Sequence, residues 1–344
     1  MVSLIDVFLM TGFLFGHVAL LVATFNRVHA FPLPRRVVSV LRIVNVLILV
    51  AGPLAAMWWC INGHVRHGSL AELFTQQRWL AGYALICSGM AFIIPVIWSI
   101  RKMVGFGLAP LISNHTQRLD VAREIGRSLI GTRSAFILSK VPGNQVFELY
   151  LHDKVICHPQ LSPALEGLTI GHLSDIHFTG KIKRDYFEYV IDRANALDVD
   201  IMAVTGDIVD KDACMDWIPS TLGQLKSRHG VYFVLGNHDK RVTDVPRLRS
   251  MLQDAGLIDL AGRSHEIQVA GHRIALAGNE LPWFGPPSEL SDDQLDTRTF
   301  RILLSHSPDQ LQWARRRQFD LMLAGHTHGG QIRFPFIGDR KCVV

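Results

Sequence analysis

With 49% hydrophobic and only 19% charged residues, and a mean hydropathy of +0.21, this chain of 344 residues is too oily for an ordinary soluble globule, so part of it is expected in a bilayer. Its net charge of +5 and pI near 9.0 would suit a nucleic-acid binder only if basic runs were interleaved with aromatics; none is, and no nucleic-acid partner is expected. A basic surface beside anionic lipid accounts for the charge. The cysteines Cys60, Cys87, Cys157, Cys214 and Cys342 show no C-x-x-C spacing, which excludes a thiolate metal site and points to free thiols in a reducing compartment.

In chain order, residues 4–25, 37–61 and 79–100 each approach the ~20 apolar residues that span a hydrocarbon core. The first run lacks a basic n-region and is too long for a signal peptide. Arg27, Arg35 and Arg36 follow the first span and Arg101 and Lys102 the third, whereas the loop between the second and third carries only Arg66 and Arg78, offset by Glu72. The loop-charge rule therefore places residues from 103 onward on the cytoplasmic side. His17 lies inside the first span, and its simplest partner is Asn45 or a backbone carbonyl of another span. Gly12 and Gly16 permit close helix packing there.

Residues 103–134 are expected to form a juxtamembrane linker or interfacial helix, because Leu119, Ala122, Ile125 and Leu129 recur at helical spacing. They divide a membrane region, residues 1–102, from a domain occupying residues 135–344. In that domain, strand patterns at 168–173, 200–205, 231–235, 267–269, 273–277, 300–304 and 319–324 alternate with helix patterns at 185–196, 217–226, 246–253 and 308–316. The fold class is α/β.

Five strand exits end in polar residues of one chemical kind: Ser174-Asp175-Ile176-His177, Gly206-Asp207-Ile208-Val209-Asp210, Gly236-Asn237-His238-Asp239, Ser305-His306 and Gly325-His326-Thr327-His328. Open α/β sheets gather such residues into one crevice at the carboxyl ends of their strands. The i, i+2 pairs Asp175/His177 and His326/His328 point both side chains the same way in extended backbone. Imidazoles, carboxylates and an amide suit Mn²⁺, Fe or Zn²⁺. Asp175, His177, Asp207, Asn237, His306, His326 and His328 are too many ligands for one ion, so two divalent metal ions are expected, Mn favoured, with Asp207 shared between them.

The ordered set D-x-H, G-D-x-x-D, G-N-H-D, a lone His and G-H-T-H-G-G-Q, between Leu168 and Phe336, resembles the calcineurin-like metallophosphoesterase family. It is most similar to a bacterial membrane-associated branch that includes a UDP-2,3-diacylglucosamine diphosphatase, which implies the inner (plasma) membrane of a bacterium, crossed several times. The resemblance implies a four-layer β-sandwich flanked by helices. It also implies one ion held by Asp175, His177, Asp207 and His328, and a second by Asp207, Asn237, His306 and His326. His238 would donate a proton to the leaving oxygen, with Asp239 orienting its ring and Asp210 behind the ligands. Family members continue past G-G-Q with further strands, so the domain is expected to be short at its C-terminus.

Two groups are candidate substrate contacts. Lys181, Lys183 and Arg184 would bind a second phosphate or remain solvated. Trp283, in the Pro282–Pro287 stretch, would either touch an apolar substrate or the bilayer from the rim, or pack on the core. The isolated histidines, His172 among them, are read as structural. The function expected is phosphodiester or diphosphate hydrolysis of an amphiphilic, lipid-linked substrate. The alternatives are a phosphodiesterase of soluble nucleotides and an inactive membrane metal-binding module.

Overall fold

The computed structural model describes residues 4–30, 35–61, 78–103, 111–159, 161–291, 295–296 and 298–327. They divide after Gly107 into two compact units.

The first unit contains three helices, α1 (Leu4–Ala30), α2 (Arg35–Ile61) and α3 (Arg78–Met103). Among the described residues, one stretch, Val37–Leu54 of α2, is long and apolar enough to cross a membrane, while those of α1 and α3 are the shorter Met10–Thr24 and Gly82–Ile97. The G-x-x-x-G of α1 makes contact through one glycine, since a Cβ on Gly16 would lie 1.7 Å from the Cys87 carbonyl oxygen. His17 does not bond Asn45. Its Nδ1 is 2.6 Å from the Tyr83 hydroxyl, whereas Asn45 Nδ2 donates to Thr24 Oγ1 at 2.8 Å and to the Leu21 carbonyl at 3.2 Å.

The second unit opens with β1 (Leu111–Asp120), which pairs antiparallel with β2 (Glu148–Ile156) in a two-stranded ribbon. The expected interfacial helix therefore shrinks to α4 (Val121–Ile125). Strand pairing takes Leu119 and Gly126 ends the helix ahead of Leu129, so of that periodic set only Ala122 and Ile125 are helical, and the two ends of α4 are fixed chemically. Asp120 accepts a hydrogen bond from the Arg123 N–H, and Gly126 closes the turn at φ 69°. A second short helix, α5 (Arg133–Ser139), is capped by Thr132.

The core is an α/β sandwich. One sheet is wholly parallel and has the order β3 (Ile170–Leu173), β4 (Ile201–Thr205), β5 (Val231–Val234), β6 (Ile258–Asp259). In the other sheet β7 (Ser264–Val269) runs antiparallel to β8 (His272–Asn279), and β9 (Phe300–Ser305) and β10 (Leu321–Ala324) continue parallel to β8. Period-2 alternation divides the burial. Ile201, Ala203, Tyr232 and Val234 meet Ile274, Leu276, Ile302 and Leu304 between the sheets. Met202, Val204 and Phe233 face α6 (Arg184–Asn195) and α7 (Val245–Asp254). On the far side, Ala277 and Leu303 pack on α8 (Leu311–Arg316). Helices, sheet, sheet and helix make four layers.

The helix expected at 217–226 is instead 3₁₀, in the segments Asp212–Ser220 and Leu222–Gln224. Pro219 removes an amide donor and Gly223 weakens helical order, so the chain adopts the tighter turn.

Candidate metal centre

The loops after β3, β4, β5, β9 and β10 meet at one end of the sandwich. The first two are joined by backbone: Asp175 N–H donates to the Gly206 carbonyl at 3.0 Å, His177 N–H to Asp207 at 2.9 Å and Phe178 N–H to Ile208 at 2.8 Å. Asp175, His177, Asp207 and His326 all adopt left-handed backbone, with φ of 54°, 51°, 55° and 69°. Such residues are uncommon outside glycine and cluster at functional sites. Space is equally tight. A Cβ on Gly325 would lie 1.8 Å from Ser174 Oγ and 2.7 Å from Asp175 Oδ2, and one on Gly236 would lie 2.3 Å from Asp207 Oδ1. Only glycine admits the approach.

Asp207 is at the centre. Its Oδ1 accepts the His238 N–H at 2.7 Å, while Oδ2 is buried and, among the described residues, accepts no hydrogen bond. That oxygen faces Nε2 of His306 at 3.3 Å, of His177 at 3.7 Å and of His238 at 4.0 Å. Burial pushes the carboxyl up, but His306, His238 and His177 outweigh it and hold the pKa at about 2. His306 Nδ1–H donates to the Thr205 carbonyl at 2.7 Å, which leaves its Nε2 lone pair free. That nitrogen and Nδ1 of His326 stand 3.1 and 2.9 Å from Oδ1 of Asn237. Donors held about 2.1 Å from a common ion are about 3 to 3.4 Å apart, so this spacing and donor set fit divalent ions.

Asp175, Asp207 and His306 form one cluster of potential ligands, and His177, Asp210 and His238 another. In the second, Asp210 takes Nδ1–H of His177 on Oδ2 and Nδ1–H of His238 on Oδ1, both at 2.7 Å. Burial raises its carboxyl, yet the two imidazoles bring it well below the usual range. Burial lowers and Asp210 raises the pKa of His177; burial lowers and Asp207 raises that of His306. Both imidazoles end above their ordinary value.

This corrects the role expected for Asp239. The ring of His238 is held by Asp210, because the Asp239 carboxylate is fully occupied below the site. It accepts four backbone N–H groups, from Asp207 at 2.9 Å and from Ile208, Val209 and Gly236 at 2.8 Å. Burial and the neighbouring Asp207 push its pKa up, against those donors. Of the two positions open to Trp283, rim or interior, the structure shows the interior. The side chain is buried, with its ring centroid 5.4 Å from that of His306 and 5.0 Å from that of His326, and it braces both rings. Lys181 and Lys183 are exposed, and Arg184 pairs with Glu188 at 2.9 Å, so none of the three contacts the ligand set among the described residues. His172 bonds Thr205 Oγ1 at 2.7 Å. His328 lies outside the described residues, as does the whole segment after it, where a short C-terminus was expected.

Sequence reasoning missed Arg241, which donates to Asp210 and, at 2.9 Å, to Nε2 of His238. Its signal was its place two residues beyond G-N-H-D. It also missed the half-buried Arg249, paired with Asp259 at 2.9 Å and with Glu280, whose other oxygen accepts the Leu235 N–H beneath the β5 exit.

Comparison with known proteins agrees with this geometry. A profile of the calcineurin-like phosphoesterase family matches residues 168–330. The chain is 32% identical over 295 residues to a "Transmembrane protein with metallophosphoesterase domain" of Danio rerio, covering 78% of this chain and 66% of that protein. It is 33% identical over 193 residues to the Bos taurus protein of the same name, covering 51% and 43%. An "Uncharacterized metallophosphoesterase YkoQ" of Bacillus subtilis is 29% identical over 178 residues, covering 50% and 65%. The chain thus spans less than two thirds of these relatives. Because they are vertebrate as well as bacterial, the likeness does not single out the diacylglucosamine diphosphatase branch. With five candidate ligand loops in order at the carboxyl ends of a two-sheet α/β core, residues 168–330 of the chain match the calcineurin-like phosphoesterase family.

Proposed function

We propose that this chain is a membrane-anchored, metal-dependent phosphoester hydrolase, a phosphodiesterase or diphosphatase acting on an amphiphilic, lipid-linked substrate. The observation that carries the chemistry is the buried Asp207 Oδ2, left without a hydrogen bond among three imidazole Nε2 atoms. An ionised carboxylate is costly to bury in that state unless a cation completes it.

Asp207 would be shared by two divalent ions, one also held by Asp175, His177 and His328, the other by Asn237, His306 and His326. Bound there, the ions would polarise phosphoryl oxygens and make water a competent nucleophile near neutral pH. His238 faces the same space. With Asp210 on Nδ1 it is oriented to carry a proton on Nε2 for the leaving oxygen. Arg241, which donates to that nitrogen, would turn to a phosphate oxygen when the ester binds.

The membrane reading rests on α2. Along Val37–Leu54 its large apolar side chains, such as Val40, Leu47 and Val50, are exposed rather than buried in a core. Similarity to the Danio rerio transmembrane protein supports it, because a match over 78% of the chain exceeds what the residues from 168 onward can supply. Loop charge supports a cytoplasmic phosphoesterase domain at the plasma membrane, and α1 and α3 would make the anchor multi-pass.

The test is hydrolysis of bis-p-nitrophenyl phosphate, p-nitrophenyl phosphate and nucleotide-linked lipids by the detergent-purified chain with Mn²⁺. Asp207→Ala is expected to abolish turnover and lower bound metal at both positions. Two bound ions without turnover on any ester would favour the inactive metal-binding module. Turnover restricted to soluble nucleotide diesters would favour the nucleotide alternative.

A further inference from the structure

In the second unit, residues 133–146 form one of two exposed apolar stretches, the other being Ile112, Val155 and Ile156 on the β1–β2 ribbon. Phe136, Ile137 and Leu138 of α5 and Val141 just beyond it are each more than half exposed, and Val146 follows. Among the described residues from 157 to 327, the exposed large apolar side chains are Leu197, Leu295 and Leu311, which are isolated.

Successive helical residues are 100° apart, so Phe136, Ile137 and Leu138 together cover about 200° of arc. A folded partner presents one face and would leave part of that arc in water, whereas hydrocarbon surrounds it. Charge favours an anionic bilayer as well. Residues 125–147 contain Arg127, Arg133 and Lys140 and no Asp or Glu. Arg127 pairs with Asp185 at 3.1 Å. The Lys140 ammonium sits 5.3 Å from the centroid of Phe136, a cation riding on the apolar patch where lipid headgroups would meet it.

The patch is built rather than loose. Ala135 is buried, Thr132 Oγ1 caps α5, and Asn144 Nδ2 donates to the Leu138 carbonyl at 2.9 Å. It is also tied to the metal loops. Gly131 N–H donates to the Lys181 carbonyl and Lys183 N–H to Leu129, both at 2.8 Å. Lys181 follows His177 by four residues, at most about 14 Å of extended chain.

We propose that residues 133–146 form an apolar wedge that enters the surface of an anionic bilayer beside the metal loops. An ester at headgroup depth then reaches the ligands while its acyl chains stay in lipid. The wedge deepens the membrane reading above, but its insertion does not depend on which ester is cleaved.

The test uses the full chain reconstituted in phosphatidylcholine–phosphatidylglycerol vesicles. Emission from Ile137→Trp is compared with that of the unaltered chain, with Val141→Trp as a second reporter should the first misfold. Insertion predicts that brominated lipid quenches the added indole at least about threefold more than aqueous iodide does, and that adding Phe136→Glu with Leu138→Glu reverses the order. Quenching by iodide alone overturns the wedge. Protection from both quenchers, with cross-links from this segment to the N-terminal helices or to a second copy, overturns it in favour of a protein cover. An inserted wedge without turnover of lipid phosphates would leave the wedge standing and count against the proposed substrate class. Lipid-phosphate turnover with an iodide-exposed segment would do the reverse.

Discussion

Asp210→Asn keeps the shape of the group that holds two imidazoles at once while removing its charge. Each carboxylate oxygen now accepts one Nδ1–H, from His177 and from His238, both at 2.7 Å. An amide offers one acceptor and one donor, so it can serve only one ring in its present tautomer. The other ring must carry its proton on Nε2, the atom that faces Asp207 Oδ2 at 3.7 Å in His177 or 4.0 Å in His238. In His177 that change removes a ligand lone pair. In His238 it removes the Asp210 charge that stabilises an imidazolium. A hydrogen bond to a charged group contributes about 1.5 to 3 kcal/mol. Partners behind metal-bound histidines are worth about 10- to 100-fold in metal affinity or activity, and a loss of that size is expected here. Calorimetric titration of Mn²⁺ into the metal-free chain, with kcat on bis-p-nitrophenyl phosphate, would measure both halves. Unchanged affinity together with unchanged kcat would refute the assignment of Asp210 to the two rings. Asp210→Ala, with no acceptor at all, should be at least as impaired.

Asp239→Ala should act on stability rather than on chemistry. It strands four backbone N–H groups, each costing about 1 to 3 kcal/mol when buried without a partner, and a loss below about 1 kcal/mol in urea unfolding would contradict this. His238→Ala should retain bound metal while kcat falls about 10²- to 10⁴-fold; metal loss in elemental analysis would make His238 a ligand instead. The pH dependence follows from His177 and His306, whose pKa values in the folded, metal-free protein are raised. Their contribution to metal-free stability is complete below the unfolded imidazole value and is lost as pH rises through the folded one. Ions need the same rings neutral, so the Mn²⁺-induced rise in Tm should be small in acid and grow as pH passes the folded pKa values. Thermal melts from about pH 5.5 to 8 with and without Mn²⁺ would show this, and a pH-independent rise would refute it.

The candidate ligand loops were legible because each follows an apolar strand in its own stretch of chain, so identity and order are both written locally. The two-sheet core was legible for the same reason: Ile201, Met202, Ala203 and Val204 are apolar on both faces, as a buried parallel strand must be. What resisted reading depended on partners distant in sequence. β1 has no buried side chain to give it a two-residue rhythm, and it becomes a strand only because residues 148–156 pair with it. Asp239 and Asp210 are both acids close to His238 in the motifs, and the backbone path alone decides that one holds amides and the other imidazoles. Trp283 looks like a loop aromatic until β9 and β10 bring His306 and His326 against its ring.

The left-handed backbone at Asp175, His177, Asp207 and His326 has a consequence for how this protein would fail. Each such residue costs about 1 to 3 kcal/mol and persists only while its surroundings insist on it. Heat or a distant core substitution relaxes that insistence before it melts the sheets, because local openings need less free energy than global ones. Inactivation should therefore precede unfolding: as temperature rises, turnover should disappear while the circular dichroism of the sandwich is still intact.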